Sequence, residues 1–310
     1  MSPFIKSRRI EIMLSALLCL IVFEFHSKSG ATSFDGATLR RKHTLTGNIQ
    51  IHPDFQSRFL PFARDISVYL PPGYDKDQTR KYPVLYMQDG QNIFDEATSF
   101  FAGKEGHWDE LAETLITQHE IEPLIIVGVE SSGLARLNEF TPPTGGPRQG
   151  GQADLYGRML VEEVKPFIDS HYRTMTQSSR TSLGGVSLGG LVTLYLGLKY
   201  QDVFGQLAIT SPAAFWDDDI ILRCVQSLPR KTNQRIYLSV GTAELPEFLN
   251  STRNLRQALA SKGWKEGSDF EYVEVEGAKH EPNTRAIRVD RALRFLSPVL
   301  NKRSAKAGGA

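Results

Sequence analysis

One short run carries a side chain placed for nucleophilic attack: Gly185-Val186-Ser187-Leu188-Gly189-Gly190, a serine with glycines two positions before and two after it. A serine hydroxyl is a weak nucleophile until a base takes its proton, and the usual base is a histidine oriented by a carboxylate. After Ser187 the chain holds a single histidine, His280, in Glu276-Gly277-Ala278-Lys279-His280-Glu281. Between them, Gly241-Thr242-Ala243-Glu244-Leu245-Pro246-Glu247 supplies a carboxylate. Glu244 is the first choice because it lies nearest a predicted strand end, and Glu247 is the reserve. Asp217, Asp218 and Asp219 read instead as a solvated acidic turn at a helix start. The order serine, acid, histidine is the one used by hydrolases built on a nucleophile elbow. Such chemistry also needs backbone N–H groups aimed at the developing oxyanion. Leu188, just after the serine, would give one. Gln91, in Gln88-Asp89-Gly90-Gln91-Asn92, would give the other, with Gly90 letting the backbone bend towards the serine. Asp89 is read as holding that turn together rather than reacting.

These residues need elements to carry them. A β-prone run, Thr181–Val186, enters the serine turn and a helix-prone run, Leu188–Lys199, leaves it, which is the strand–turn–helix setting an elbow requires. Alternating residues at 48–52 and 64–70 predict two one-sided antiparallel strands. Continuous apolar runs at 82–87 and 123–129 predict buried strands, followed by others at 206–210, 235–240 and 270–275. Helices are expected over 107–115, 156–170, after Trp216, over 251–261 with Asn250 or Ser251 as cap, and over 283–295. Residues 141–151, rich in glycine and proline, read as a surface loop. Strands alternating with helices predict an α/β fold with a largely parallel sheet covered on both faces, its chemistry at the carboxyl ends of the strands.

Composition sets the bounds. With 310 residues, 40% of them hydrophobic, the chain suits one large domain, expected over 45–298. A formal net charge of +1 with mixed signs gives no reason to expect a nucleic-acid partner. Lys6, Arg8 and Arg9 precede an apolar run at 12–23, and small and polar residues follow. This is the pattern of a secretory signal over 1–30, too short to span a membrane, with an uncleaved anchor as the alternative. A periplasmic or secreted protein with no membrane span after cleavage is expected, ending in a frayed tail at 302–310. Of the two cysteines, Cys19 lies in the signal and Cys224 in an apolar helical run, where a packing thiol is expected. His43, His52, His119 and His171 show no metal-ligand spacing, and no metal or cofactor is expected. The oligomeric state is left open.

The chain resembles the putative-esterase family of α/β-hydrolases, which includes siderophore esterases, feruloyl and acetyl-xylan esterases, esterase D and mycolyltransferases. The resemblance rests on Val68-Tyr69-Leu70-Pro71-Pro72-Gly73-Tyr74, on Tyr82-Pro83-Val84-Leu85-Tyr86-Met87-Gln88-Asp89-Gly90-Gln91-Asn92-Ile93-Phe94-Asp95, on Arg136-Leu137-Asn138-Glu139-Phe140-Thr141-Pro142, on the serine turn, and on Ser211-Pro212-Ala213-Ala214-Phe215-Trp216. It implies the α/β-hydrolase fold, Ser187 as nucleophile, His280 as base and an acid in the loop holding Glu244. It implies carboxylic-ester hydrolysis of a small-molecule or carbohydrate ester, such as a siderophore or an acylated polysaccharide. Acyl transfer on the same triad and non-catalytic ligand binding are the alternatives. After His280 the chain departs from the family's run, with Pro282, Asn283 and Thr284 intervening. Arg136 and Glu139 match a family motif and are expected as an ion pair bracing a loop, or else as substrate contacts. His107 and Trp108 fall in a segment expected to border the cleft, to stack on substrate or to pack.

Overall fold

A computed structural model describes residues 41–101, 104–143, 150–281 and 286–299. The expected signal segment, the tail and part of the 141–151 loop lie outside the described residues.

Eight strands form one sheet: β1 (Asn48–Phe55), β2 (Arg64–Leu70), β3 (Val84–Gln88), β4 (Ile125–Val129), β5 (Thr181–Val186), β6 (Gln206–Thr210), β7 (Arg235–Gly241) and β8 (Phe270–Val275). Their order across the sheet is β1-β2-β4-β3-β5-β6-β7-β8. The first two pairings, β1 with β2 and β2 with β4, are antiparallel, and the remaining five are parallel. This is the mostly parallel α/β-hydrolase sheet with an antiparallel edge that the sequence predicts. The physical cause lies in the strands. Every residue of β3, β4 and β6 is buried, so both faces need covering, whereas β1 is half-exposed along its length and closes an edge.

The cover is helical: α1 (Trp108–Thr117), α2 (Ala153–Met159), α3 (Lys165–His171), α4 (Leu188–Lys199), α5 (Trp216–Ser227), α6 (Pro246–Ser261) and α7 (Ala286–Leu296). The core divides by sheet face. Val84 and Tyr86 of β3 pack with α2 to α6, while Leu85 and Met87 pack with α1 and α7, the alternation a pleated strand imposes. Bounds of β5, β6 and β8 are those expected. Two helices differ. The helix expected over 156–170 starts at Ala153 and is two pieces joined by a π turn, Leu160–Val164. The helix expected from Ser251 begins five residues earlier, at Pro246, with Leu245 before it and no side-chain cap. Proline's fixed φ suits the first helical position, so Asn250 and Ser251 lie inside the helix and cap nothing. Asp217, Asp218 and Asp219 take left-handed conformations that kink the start of α5.

Candidate active site

Ser187 stands between β5 and α4 with φ 62° and ψ −121°, a region that side-chain-bearing residues avoid. Hydrogen bonds hold it there. Its N–H donates to the Thr210 carbonyl (3.1 Å), and its own carbonyl accepts from Leu191 N–H and Ala213 N–H (both 3.0 Å). The turn closes so tightly that a Cβ on Gly185 would lie 2.4 Å from the Gly189 carbonyl oxygen, closer than any real contact. Only glycine fits at 185. The Leu188 N–H begins α4, where the first N–H groups have no helical partner and the dipole favours negative charge.

Glu244 and His280 meet in loops at the carboxyl ends of β7 and β8. The two loops are tied together by Thr242 N–H to Val275 O (3.0 Å), Ala243 N–H to Ala278 O (3.1 Å) and Gly277 N–H to the Thr242 hydroxyl (2.9 Å). Glu244 Oε2 lies 2.7 Å from His280 Nδ1. A carboxylate there holds the proton on Nδ1 and leaves Nε2 as the acceptor, the tautomer a general base needs. The other oxygen, Oε1, accepts from the Ser211 hydroxyl (2.5 Å), Arg288 Nη1 (2.8 Å) and Gly241 N–H (2.9 Å). Burial works to raise the Glu244 carboxyl. The His280 hydrogen bond and charge, the Ser211 hydroxyl and the Arg288 guanidinium outweigh it and hold the group down at about 2. The His280 ring lies over Phe248 (centroids 4.3 Å), which meets Phe215 edge-on. Glu247 sits half-exposed in the first turn of α6.

Ser187 Oγ is buried and has no hydrogen-bond partner among the described residues. The structure therefore joins Glu244 to His280 but leaves the serine–histidine link open. Catalytic hydrogen bonds commonly tighten only when substrate is bound. The serine is still close to the acid's support: Ser187 N–H bonds Thr210, and the next residue, Ser211, bonds Glu244.

The turn after β3 rests on the elbow, since a Cβ on Gly189 would sit 3.2 Å from Asp89 Oδ2. Asp89 accepts a two-pronged bond from Arg136 Nε (2.6 Å) and Nη2 (2.7 Å), which fixes the turn. Gln91 exchanges hydrogen bonds with Ser131 beyond β4, at 2.9 and 3.1 Å, so its side chain braces the turn and leaves an oxyanion role to its backbone. Gly90 serves a different contact from the one expected. A Cβ there would meet the Gly128 carbonyl carbon at 2.5 Å, so glycine is needed to approach β4. Arg136 and Glu139 do brace loops, but not by pairing with each other. Glu139 is wholly buried and grips Arg64 (2.9 and 3.1 Å), while Arg136 serves Asp89. Trp108 packs in the core under α1, and half-exposed His107 faces Glu110.

Sequence reasoning missed two contributors. Arg288, 1% exposed, bonds both Glu244 and, through Nη2, the Lys279 carbonyl beside His280 (3.0 Å). Ser211 was legible only as a break before proline. Arg288 did leave a signal: it stands in phase with Ala292 and Phe295 on the buried stripe of α7.

The eight-strand, mostly parallel sheet and its helical cover define an α/β-hydrolase fold. Residues 57–284 match the family described as "Putative esterase". The chain belongs to this family and is a carboxylic-ester hydrolase. It is similar to the ferri-bacillibactin esterase BesA of Bacillus subtilis, 29% identical over 239 residues, 69% of this chain and 78% of BesA. It is similar to an endo-1,4-beta-xylanase/feruloyl esterase of Xylanibacter ruminicola, 29% identical over 78% of this chain but only 30% of that longer protein. The solved BES protein of Bacillus cereus shares the fold, with a TM-score of 0.64 at 22% identity over 85% of this chain and all of that one.

Proposed function

We propose that the chain hydrolyses carboxylic esters through a covalent acyl-enzyme on Ser187, Glu244 and His280. His280 Nε2 takes the hydroxyl proton as Ser187 Oγ attacks the ester carbonyl. The oxyanion is bound by the N–H groups of Leu188 and Gln91. The tetrahedral adduct collapses, and the imidazolium gives its proton to the leaving alcohol. Water, deprotonated by the same imidazole, then attacks the acyl-enzyme and releases the acid, restoring Ser187. The observation that carries this reading is the Glu244–His280 hydrogen bond, 2.7 Å long, in loops beside a serine held at φ 62°.

The names of the relatives support two substrate classes, siderophore esters and feruloyl-type esters on plant polysaccharides. A basic and apolar leader supports export to the periplasm or the medium. Ser187→Ala should lower kcat by about 10³-fold or more on a p-nitrophenyl ester. Turnover close to wild type would end the assignment. Side-by-side assays on a catecholate triester siderophore and on feruloylated and acetylated xylo-oligosaccharides would choose between the substrate classes. Product analysis with added sugar alcohols would expose acyl transfer.

A further inference from the structure

A second group of titratable side chains lies away from the triad, where the loop after β3 enters α1. We propose that Glu105, His107 and Glu110 form a binding site for a divalent transition-metal ion. A carboxylate oxygen of Glu105, an imidazole nitrogen of His107 and a carboxylate oxygen of Glu110 lie within 4.8 Å of one another. Bonds of about 2.0–2.2 Å to one ion bring two donors within about 4.4 Å of each other, so a small inward movement of these side chains lets one ion bond all three.

The surroundings favour an ion. Glu105 and Asp109 are wholly buried. Among the described residues, none donates a hydrogen bond to Glu105 Oε2, Asp109 Oδ1 or Glu110 Oε2. The opposite oxygens are occupied: Thr44 donates its hydroxyl to Glu105 Oε1, and Thr46 N–H donates to Asp109 Oδ2 (2.7 Å). Among the described residues, no lysine or arginine pairs with Glu105, Asp109 or Glu110. Their partners are Thr44, Thr46, the His107 ring, 3.2 Å from Glu110, and each other, since the Asp109 and Glu110 carboxyls meet. Buried carboxylates without a counter-charge are costly, and either protons or a cation can remove the cost. The imidazole is what points to a metal rather than protons alone, because two carboxyls can share a proton with no third group. One nitrogen and two oxygen donors suit Zn²⁺ and its first-row neighbours. Ca²⁺ and Mg²⁺ prefer oxygen alone. His107 and Glu110 are partly exposed, at 42% and 32% of their side chains, which gives an ion a way in and leaves a position for water.

The site would act as a staple. It joins the segment at Thr44 to the start of α1 and to a loop bonded directly to the turn bearing Gln91. Thr98 donates to the Gln91 carbonyl (2.8 Å), and Gly106 N–H to the Asn92 carbonyl (2.8 Å). In the sequence the signature is Glu105-x-His107-x-x-Glu110. No other histidine of the chain has such neighbours in sequence.

The test is calorimetric titration of the chelator-stripped full chain with Zn²⁺, alongside thermal melts. Three variants are compared with wild type. His107→Asn keeps a residue tolerant of the left-handed φ of 56° found there. Glu105→Gln keeps the shape, and His171→Asn is a distant control. Wild type and the control should bind one Zn²⁺ per chain with a rise in Tm. His107→Asn and Glu105→Gln should bind at least about tenfold more weakly, with the rise gone. Absence of stoichiometric binding to wild type, or equal binding by all four proteins, would overturn the proposal. In the first case the carboxyls hold protons instead. Should Glu105→Gln fail to fold, His107→Asn decides alone, since its side chain is partly exposed and tolerates the change.

Discussion

At the scale of single residues, the groups around the proposed triad are more informative than its members. Ser187 and His280 are proposed from type and order, because one serine sits between glycines and one histidine follows it. Arg288 left only a weak signal, its phase with Ala292 and Phe295, because Arg291 and Arg294 recur close by and the fold is what shows Arg288 buried. Its guanidinium bridges Glu244, Ser211 and the carbonyl before His280, so it fixes the acid and the base loop together. Arg288→Lys keeps the charge but cannot span all three. Arg288→Met removes the charge. Losing a cation beside the acid–imidazole pair favours the imidazolium, so the acid limb of kcat/KM should move to higher pH in Arg288→Met. Arg288→Lys should leave the limb in place while lowering kcat about tenfold or more. Identical pH profiles for wild type and Arg288→Met, measured where both are folded, would show that Arg288 only packs.

At the scale of elements, the elbow is where local sequence and tertiary demand agree most closely. The strand and helix flanking Ser187 were legible to the residue, because apolar β-prone and helix-prone runs abut with no linker. The start of α6 was not, because Asn250 and Ser251 look like caps while Pro246, which starts the helix, also reads as a loop residue. The placement of the acid depends on that start. An earlier helix leaves Glu244 in the loop, facing His280, and puts Glu247 on the helix. The tightest requirement is at Gly185, where a methyl group would meet backbone atoms of Gly189 at 2.4 and 2.5 Å. Backbone cannot swing aside as a flexible side chain can, so Gly185→Ala must shift β5 against α4. A displacement near 1 Å at the nucleophile costs about 10²-fold. Gly185→Ala should therefore lose at least that in kcat/KM, with a lower Tm. Unaltered kcat/KM would mean that the elbow is not the catalytic turn.

At the scale of the whole molecule, the sheet order brings distant parts of the chain to one edge. β5, β7 and β8 are parallel, so the loops bearing Ser187, Glu244 and His280 emerge on the same side although they span nearly a hundred residues. Strand patterning made this edge legible in advance. The internal charges did not show, because pairings such as Arg64 with Glu139 and Arg288 with Glu244 join residues 75 and 44 positions apart. Those charges set how the fold responds to acid. The Glu244 carboxyl is held at about 2 in the folded chain, against about 4.3 for a free glutamate, so folding favours its ionised form. Its contribution is full above the free value and is lost as pH falls from there towards 2. Denaturant melts followed by circular dichroism should show this group's contribution constant between pH 7 and about 5, then declining. In Glu244→Gln, which cannot ionise, the decline below pH 5 should be shallower by that share, although the variant starts from lower stability at pH 7. If the two proteins lose stability in parallel between pH 5 and 3, Glu244 is not held ionised by His280, Ser211 and Arg288, and the charge network drawn around the triad is wrong.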